Sequence, residues 1–279
     1  MRPGVPVLPA AGSESVRDLL LASPRPARLL ADFDRVAYLD VDGSLLALSG
    51  PGAVRLPFAV VLAGPLPALS DGPGAVTVGD RAIRTPSATV EVRRWWRPPT
   101  PRPVSPADHG VGGLSELAEG LQRHDRRGLD GRQTVADVRE RAERLEAALA
   151  SGDPDRLRGA VAGLVGRGPG LTPAGDDVIA GALLAGHGTA VAARITAALP
   201  SDLSSRTTAL AAALVRAAAA GRGTVEGVAL VDAVHGRGAV APALDALLTQ
   251  GHTSGADTAL GILVGARAVR SRVDEEVRG

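Results

Sequence analysis

The hydrophobic pattern of residues 34 to 97 alternates with a period of two, which is typical of strands with one buried face. RVAYLDVDGSLLALS predicts a strand, a tight turn at Asp42-Gly43 and a returning strand. FAVVLAG, AVTVGDRAIRT and TVEVRRWW predict further strands, with a second turn at Gly79-Asp80. Short strands at this spacing favour a small barrel or sandwich.

Farther along the chain the apolar positions recur at helical spacing. TVADVRERAERLEAALASG predicts a helix with Thr134 as N-cap and Gly152 as its stop. DPDRLRGAVAGLVG predicts a second helix, capped by Asp153, with Pro154 in its first position. SSRTTALAAALVRAAAAG, TVEGVALVDAVHG and APALDALLTQG each predict one more, and a last helix begins at about Thr253.

These two patterns together predict an α+β fold. We expect a β-rich, barrel- or sandwich-like domain at residues 1–100 and an α-helical domain at residues 113–279. RPPTPRPVSP, at residues 97–106, contains five prolines and joins neither a ladder nor a helix. We therefore expect a semi-rigid linker at residues 101–112.

Composition narrows the functional classes. The chain has 279 residues, of which 45% are hydrophobic and only 2% aromatic, so the core is built from Ala, Val and Leu. All 31 basic residues are Arg and the net charge is +1, with no dense basic run, so we expect no nucleic-acid partner. The nearest candidate, RRWWRPP at 93–99, is interpreted as a strand end whose tryptophans cover a core edge.

The absence of cysteine excludes disulfides, a thiol nucleophile and a thiolate metal site. Pro3, Pro6 and Pro9 interrupt the N-terminal segment, which argues against a secretory signal. The longest apolar run, near residue 180, is too short to span a bilayer. We expect a cytoplasmic protein with no membrane partner.

GRGPGLTPAGDD, at residues 166–177, is the segment least typical of scaffold. Thr172 is predicted to cap a helix with Pro173 in its first position, while Gly168 and Gly170 allow a ligand to approach the backbone. Free amide groups at the helix start would then bind a small anion, phosphate or carboxylate. The alternative is that the acidic residues merely stabilise the helix start.

A second segment, GHTSGADTALGILVG, repeats this plan. Four positions correspond in order: Gly175, Asp177, Gly181 and Leu183 match Gly255, Asp257, Gly261 and Leu263. Asp and Gly four residues apart share one helix face. We expect the two helix starts to lie side by side, with Asp177 and Asp257 lining one polar pocket. Close packing of the two helices through small residues is the alternative.

The motifs GxGPGLTPxGDDxxxG and GHTSGADTxxGI, with the segment SSRTTALAAALVRAAAAG, resemble the family of the oxamate carbamoyltransferase subunit AllH, from allantoin degradation. The resemblance covers the helical half strongly and the β-rich start only loosely. It implies transfer of a carbamoyl group from carbamoyl phosphate to oxamate, giving oxalurate, in a complex with other carbamoyltransferase subunits. Whether this chain is itself catalytic stays open, since a non-catalytic anion-binding or assembly subunit could use the same pocket.

In that reading the catalytic candidates are Asp176, Asp177 and Asp257, which would orient the amide NH₂ group of the substrate or accept its proton. Paired carboxylates also suit Mg²⁺, so the spacing leaves a metal open. The small anionic substrate would contact a larger set of residues. These are Gly168, Gly170, Thr172, Gly175, His252, Thr253, Ser254 and Gly255.

Other polar residues receive structural interpretations or weaker functional ones. Arg167, Arg222 and Arg237 are candidates for a phosphate fork. His187 is interpreted as structural. The residues Asp108, His109, His124 and Asp125 lack the spacing of a metal site and are expected to face solvent. A stand-alone metal-dependent hydrolase is the third and weakest hypothesis.

Overall fold

The computed structural model describes residues 5–69, 75–104, 111–125, 132–251 and 253–278. The chain divides into two compact units, residues 1–98 and 99–279. The first is a closed β-barrel and the second is helical, which confirms the predicted α+β class. The finer boundaries proposed from the sequence, with a linker at 101–112, stay predictions.

The barrel consists of strands whose order around it is β1-β5-β4-β3-β2-β6-β7-β8, closed by parallel pairing of β8 with β1. The described strands are β1 Val7–Ser13, β2 Arg25–Asp32, β3 Val36–Val41, β4 Ser44–Ser49, β5 Ala59–Leu62, β6 Val76–Gly79, β7 Ala82–Arg84 and β8 Thr89–Trp96. The hairpin of β3 and β4 turns at Asp42-Gly43, both with positive φ, as predicted. A short helix, α1 (Arg17–Leu21), follows β1.

The sequence pattern missed β1 and β2 because each contains a proline, which normally argues against a strand inside a sheet. Pro9 of β1 lies opposite Glu91 of β8, while β5 pairs with β1 only from residue 10 to residue 12. Pro26 of β2 lies opposite β6, while β3 pairs only from residue 28 onwards. Each proline therefore has a partner strand on one side only, and its missing amide group breaks no ladder on the other.

The described residues of the helical unit form ten helices. They are α2 Val111–Asp125, α3 Arg132–Ser151, α4 Pro154–Leu164, α5 Ala174–Ala185, α6 Ala190–Ala198, α7 Leu203–Arg206, α8 Ala209–Ala219, α9 Val225–Asp232, α10 Val240–Leu248 and α11 Ser254–Arg278. A single π-turn, Ala233–Arg237, continues α9. All twelve residues of α5 are buried, and α11, α8, α6 and α4 pack around it.

Several helix boundaries differ from those predicted. Helix α3 begins at Arg132, so Thr134 lies inside the helix and is not its N-cap. SSRTTALAAALVRAAAAG does not form one helix, because Thr207 adopts an extended conformation between α7 and α8 and Thr208 caps α8 through its hydroxyl. Asp153 does cap α4, as predicted, by accepting from the amides of residues 155 and 156.

The proline-rich segment up to residue 104 is fastened to the helical unit. The Gly223 amide donates to the Pro99 carbonyl, and the Arg102 amide donates to Asp232. Arg237 donates to the carbonyls of Arg102 and Pro103 and also pairs with Asp232 at 3.1 Å. These contacts give Arg237 a structural role that the phosphate-fork hypothesis did not foresee.

Candidate functional site

The loop before α5 depends on glycines in the left-handed region. Gly166, Gly168 and Gly170 have φ values of +70°, +119° and +92°, which side chains other than glycine rarely adopt. A Cβ atom on Gly166 would lie 2.2 Å from the carbonyl oxygen of Arg206, whereas one on Gly170 would meet open space. One end of the loop is therefore pressed against the α7–α8 connection, and the other end is accessible.

Asp176 fixes this loop to that connection. Its side chain is 1% exposed and accepts from the Gly166 amide at 3.1 Å and from the Thr207 hydroxyl at 2.6 Å. Burial raises the pKa of Asp176, and the hydrogen bonds from Thr207 and Gly166 oppose that rise. The neighbouring Thr208 hydroxyl donates to the Leu171 carbonyl. The two threonines lie in the SSRTT segment, yet sequence reasoning did not select them as site residues.

Asp177 lies in a different environment from its neighbour. It is 5% exposed, and its Oδ2 atom has no hydrogen-bond partner among the described residues. Burial raises the pKa of Asp177 well above its ordinary value; hydrogen bonds from Ser254 and Thr172 oppose the rise, and the charges of Asp257 and Asp176 add to it. The carboxyl group therefore has hydroxyl donors, but its Oδ2 atom has none in the described chain.

The starts of α5 and α11 lie side by side, as the repeated motif predicted. The hydroxyls of Thr172 and Ser254 are 2.7 Å apart, which joins the loop before α5 to the first residue of α11. Asp177 and Asp257 are close enough for the charge of one to affect the pKa of the other. That the two carboxylates line one pocket stays a prediction.

Two corresponding glycines have the same packing role in both copies of the motif. A Cβ atom on Gly175 would lie 2.0 Å from the Leu164 carbonyl oxygen, and one on Gly255 would lie 2.1 Å from the Leu247 carbonyl oxygen. Each glycine thus lets the end of the preceding helix contact the next helix start. Backbone already fills the space beside Gly175 and Gly255, so packing alone accounts for glycine at both positions.

The amide groups at the two helix starts are mostly used within the chain. The Gly175 amide donates to the Arg167 carbonyl, and the amides of Asp176 and Asp177 donate to the Pro173 carbonyl. In α11 the same pattern recurs: the Gly255 amide donates to the Gln250 carbonyl, and those of Ala256 and Asp257 donate to Thr253. The prediction of free amides is therefore wrong for Gly175 and Gly255, because loop carbonyls turn back onto each helix start.

The predicted cap of α5 is also corrected. The helix begins at Ala174 with Pro173 as its N-cap, and Pro173 offers no side-chain hydrogen bond. The Thr172 hydroxyl instead contacts Ser254. It is displaced from the capping position because Pro173 has an extended ψ of 136° and its carbonyl makes the first helical bonds.

Of the other polar residues considered from the sequence, some form contacts within the chain and others are exposed. Arg167 pairs with Asp137 at 2.7 Å, and Arg222 and His124 are exposed. The ring of His187 packs against Gly221: a Cβ atom on Gly221 would lie 2.2 Å from the Cε1 atom of His187. This contact agrees with the structural interpretation of His187. His252, Asp108 and His109 lie outside the described residues, as does the side chain of Asp125.

Neither a closed metal cage nor a membrane span is found in the part of the chain that the structure describes. It contains no group of three or more His, Cys, Asp or Glu side chains that could hold a metal ion. None of its helices combines the length and the apolar character needed to cross a bilayer.

In the barrel, Arg17 and Arg55 lie over Trp95 and Trp96, with distances to the ring centroids of 5.1 and 5.5 Å.

The site therefore has the architecture of two adjoining helix starts, each with a Gly–Asp–Gly motif, bridged by a pair of hydroxyls. The family model described as "Oxamate carbamoyltransferase subunit AllH" matches residues 164–266. This range is less than half of the chain, and it contains the glycine loop, α5 and the first part of α11. The match confirms the resemblance to this family of carbamoyltransferase subunits. No solved structure matches the chain.

Proposed function

We propose that the chain is a subunit of an oxamate carbamoyltransferase-like complex and contributes the site between the starts of α5 and α11. The supporting observation is the Thr172–Ser254 hydroxyl pair, which stands beside Asp177 and Asp257 inside the segment that matches the family. In the reaction, the amide nitrogen of oxamate attacks the carbonyl carbon of carbamoyl phosphate. The bond from that carbon to the phosphate oxygen breaks, the nitrogen loses one proton, and oxalurate and phosphate are released.

The chemistry of the side chains favours recognition of the amide end of oxamate. Carboxylate oxygens accept hydrogen bonds from an NH₂ group and repel an anion. Asp177 and Asp257 therefore orient the NH₂ group, and one of them takes the proton that the nitrogen loses. Asp176 is excluded from this role in the proposal, because both its oxygens already accept hydrogen bonds from the Gly166 amide.

The anionic end of a substrate needs other partners, since the Gly175 and Gly255 amides already have acceptors. In the proposal it lies over the accessible part of the glycine loop, at Gly168 and Gly170, and against the hydroxyls of Thr172, Thr253 and Ser254. Gly170 and Thr253 are exposed, and Thr172 and Ser254 are half-buried, so a ligand can reach them. Gly175 and Gly255 contribute close packing of the scaffold to this arrangement.

A non-catalytic, ligand-binding or assembly subunit is the second candidate. One observation favours it: three positions first assigned to chemistry or binding, Gly175, Gly255 and Asp176, have complete structural explanations. In this case the site would recognise the same ligands while a partner subunit supplied the reacting groups.

Ligand-dependent stabilisation tests the proposed site. A ligand that binds only the folded state raises the melting temperature, by an amount that grows with its concentration over Kd. We expect oxamate, oxalurate or carbamoyl phosphate to stabilise the wild-type chain. The variant Asp177→Asn should lose this response. The variant Asp245→Asn, which changes an exposed residue of α10, should keep it. An equal response in both variants would contradict the proposed site.

A further inference from the structure

Two adjacent buried carboxylates on α5 are treated differently by the fold. Asp176 receives an amide and a hydroxyl hydrogen bond, whereas the Oδ2 atom of Asp177 receives none from the described residues. A buried carboxylate oxygen without a donor is unfavourable unless a proton or a cation neutralises it. Both oxygens of Asp176 have donors, whereas the Oδ2 atom of Asp177 has none among the described residues.

The side chains that influence the pKa of Asp177 all carry oxygen atoms. The hydroxyls of Thr172 and Ser254 and the carboxyl group of Asp257 are the neighbours that influence its charge, together with Asp176. No arginine is among these influences. Hard divalent cations prefer such oxygen ligands. Thr172 and Ser254 are half-buried rather than buried, so the site borders solvent on their side.

We propose that Asp177 and Asp257, assisted by the Thr172 and Ser254 hydroxyls, bind one Mg²⁺ ion between the starts of α5 and α11. Among the described residues, the two carboxylates do not belong to a cluster of three or more acidic or His side chains. Two carboxylates are enough for Mg²⁺, which typically keeps several waters and takes only one or two carboxylates, with substrate phosphate as a further ligand.

This inference rests on the location of the site in the proposed function and adds a ligand to it. A cation between the two carboxylates changes the sign of the local field, so that an anionic phosphate group can approach an otherwise acidic site. The site then does not need the Gly175 and Gly255 amides, which already donate to loop carbonyls. The ligand class is thus a divalent cation together with a phosphate-bearing substrate.

Metal binding by the purified chain tests the inference without any assay of carbamoyl transfer. Mn²⁺ serves as a paramagnetic probe for Mg²⁺, and its electron paramagnetic resonance signal reports the free ion during titration. We expect one Mn²⁺ per chain, displaced by Mg²⁺. Asp177→Asn and Asp257→Asn should each weaken binding by at least about tenfold, the loss seen even for outer-shell partners. Asp245→Asn is the matched control and should bind as the wild type does.

The outcomes are decisive in either direction. If the wild type binds no Mn²⁺, or if both site variants bind it unchanged, the inference is overturned. Circular dichroism of each variant establishes that it is folded, and Asn keeps the shape of Asp while removing the poorly compensated charge. Failure of the catalytic proposal would leave the Mn²⁺ titration unaffected, so the two hypotheses fail separately.

Discussion

Gly181 and Gly261 face each other's helices where α5 and α11 cross. A Cβ atom on Gly181 would lie 2.1 Å from the Thr258 carbonyl oxygen, and one on Gly261 would lie 2.1 Å from the Val178 carbonyl oxygen. The relationship is symmetric, because each glycine belongs to one copy of the Gly–Asp–Gly motif. The crossing therefore holds the two helix starts, and with them Asp177 and Asp257, at a fixed separation.

Alanine at either crossing glycine should destabilise the helical unit. Gly181→Ala or Gly261→Ala places a methyl group in the facing backbone, and overpacking of this kind costs about 1–3 kcal/mol or more. Gly159→Ala on α4 is the control, since a Cβ atom there meets nothing within 4 Å. It should raise the free energy of unfolding by roughly 0.5–1 kcal/mol through better helix propensity. Urea unfolding of the three variants measures both effects.

Asp176 and Asp177 should respond differently to the same substitution. Asp176→Asn replaces an oxygen that accepts from buried donors and should lower the free energy of unfolding by about 1–3 kcal/mol. Asp177→Asn removes a charge with few partners, so in metal-free buffer its cost should stay under about 1 kcal/mol. Chemical unfolding of both variants checks this order. A larger cost for Asp177→Asn would assign Asp177 to the scaffold.

The hydroxyl pair between the helix starts should act as one unit. Thr172→Val and Ser254→Ala each break the 2.7 Å contact, and each should cost about 0.5–1.5 kcal/mol. Because the second substitution removes a partner that is already lost, the double variant should cost clearly less than the sum of the two. A double-mutant cycle of unfolding free energies measures this coupling. Additive costs would show that the two hydroxyls are independent.

The repeated motif made the juxtaposition of α5 and α11 predictable, since equal spacing of Gly and Asp in two segments indicates equivalent helix starts. The hydrogen-bond partners were not predictable in the same way. Whether the Asp177 carboxylate or the Asp176 carboxylate meets Gly166 and Thr207 depends on a loop that places residue 166 beside residue 206. Periodicity along one segment carries no information about a contact formed by three separate segments.

The barrel shows the same limit in another form. Alternation and turn residues located β3 to β8, whereas β1 and β2 were missed because Pro9 and Pro26 lie in them. A proline is compatible with a strand when only one neighbour pairs at that position, and this depends on the stagger of strands around the barrel. Stagger is a property of the closed sheet as a whole.

Asp137 should make the free energy of unfolding depend on pH. Hydrogen bonds from Arg141 and Arg167 lower the pKa of Asp137 from 3.8 to about 2. A carboxyl group whose pKa is lower in the folded state contributes stability above its unfolded pKa and loses it as the pH falls to the folded value. The difference in unfolding free energy between the wild type and Asp137→Asn should thus be constant near neutral pH and shrink between about pH 4 and pH 2.

Urea unfolding at a series of pH values, in low salt, provides this comparison. Because Asp137 and Arg167 are partly exposed, added salt should reduce the difference at neutral pH. A difference that stays constant down to pH 2 would mean that the ion pairs do not form in solution.

Turnover should require other subunits. The chain contains no Lys and no Cys, and the described site offers carboxyl and hydroxyl groups, with Arg167 turned to Asp137 and Arg237 to Asp232. Such a site can orient an amide and accept its proton, but apart from the Mg²⁺ ion proposed above its described side chains provide no positively charged clamp for the departing phosphate of carbamoyl phosphate. The matched family is described as a subunit, which agrees with this division of roles.

We expect the purified chain to form almost no oxalurate from carbamoyl phosphate and oxamate, and the rate to rise when the neighbouring subunits are added. In the complete complex, Asp177→Asn should reduce the rate by about a hundredfold or more, as removal of a general base does, while Asp245→Asn should not. Carbamoyl transfer by the chain alone, at a rate that no partner changes, would refute the subunit role.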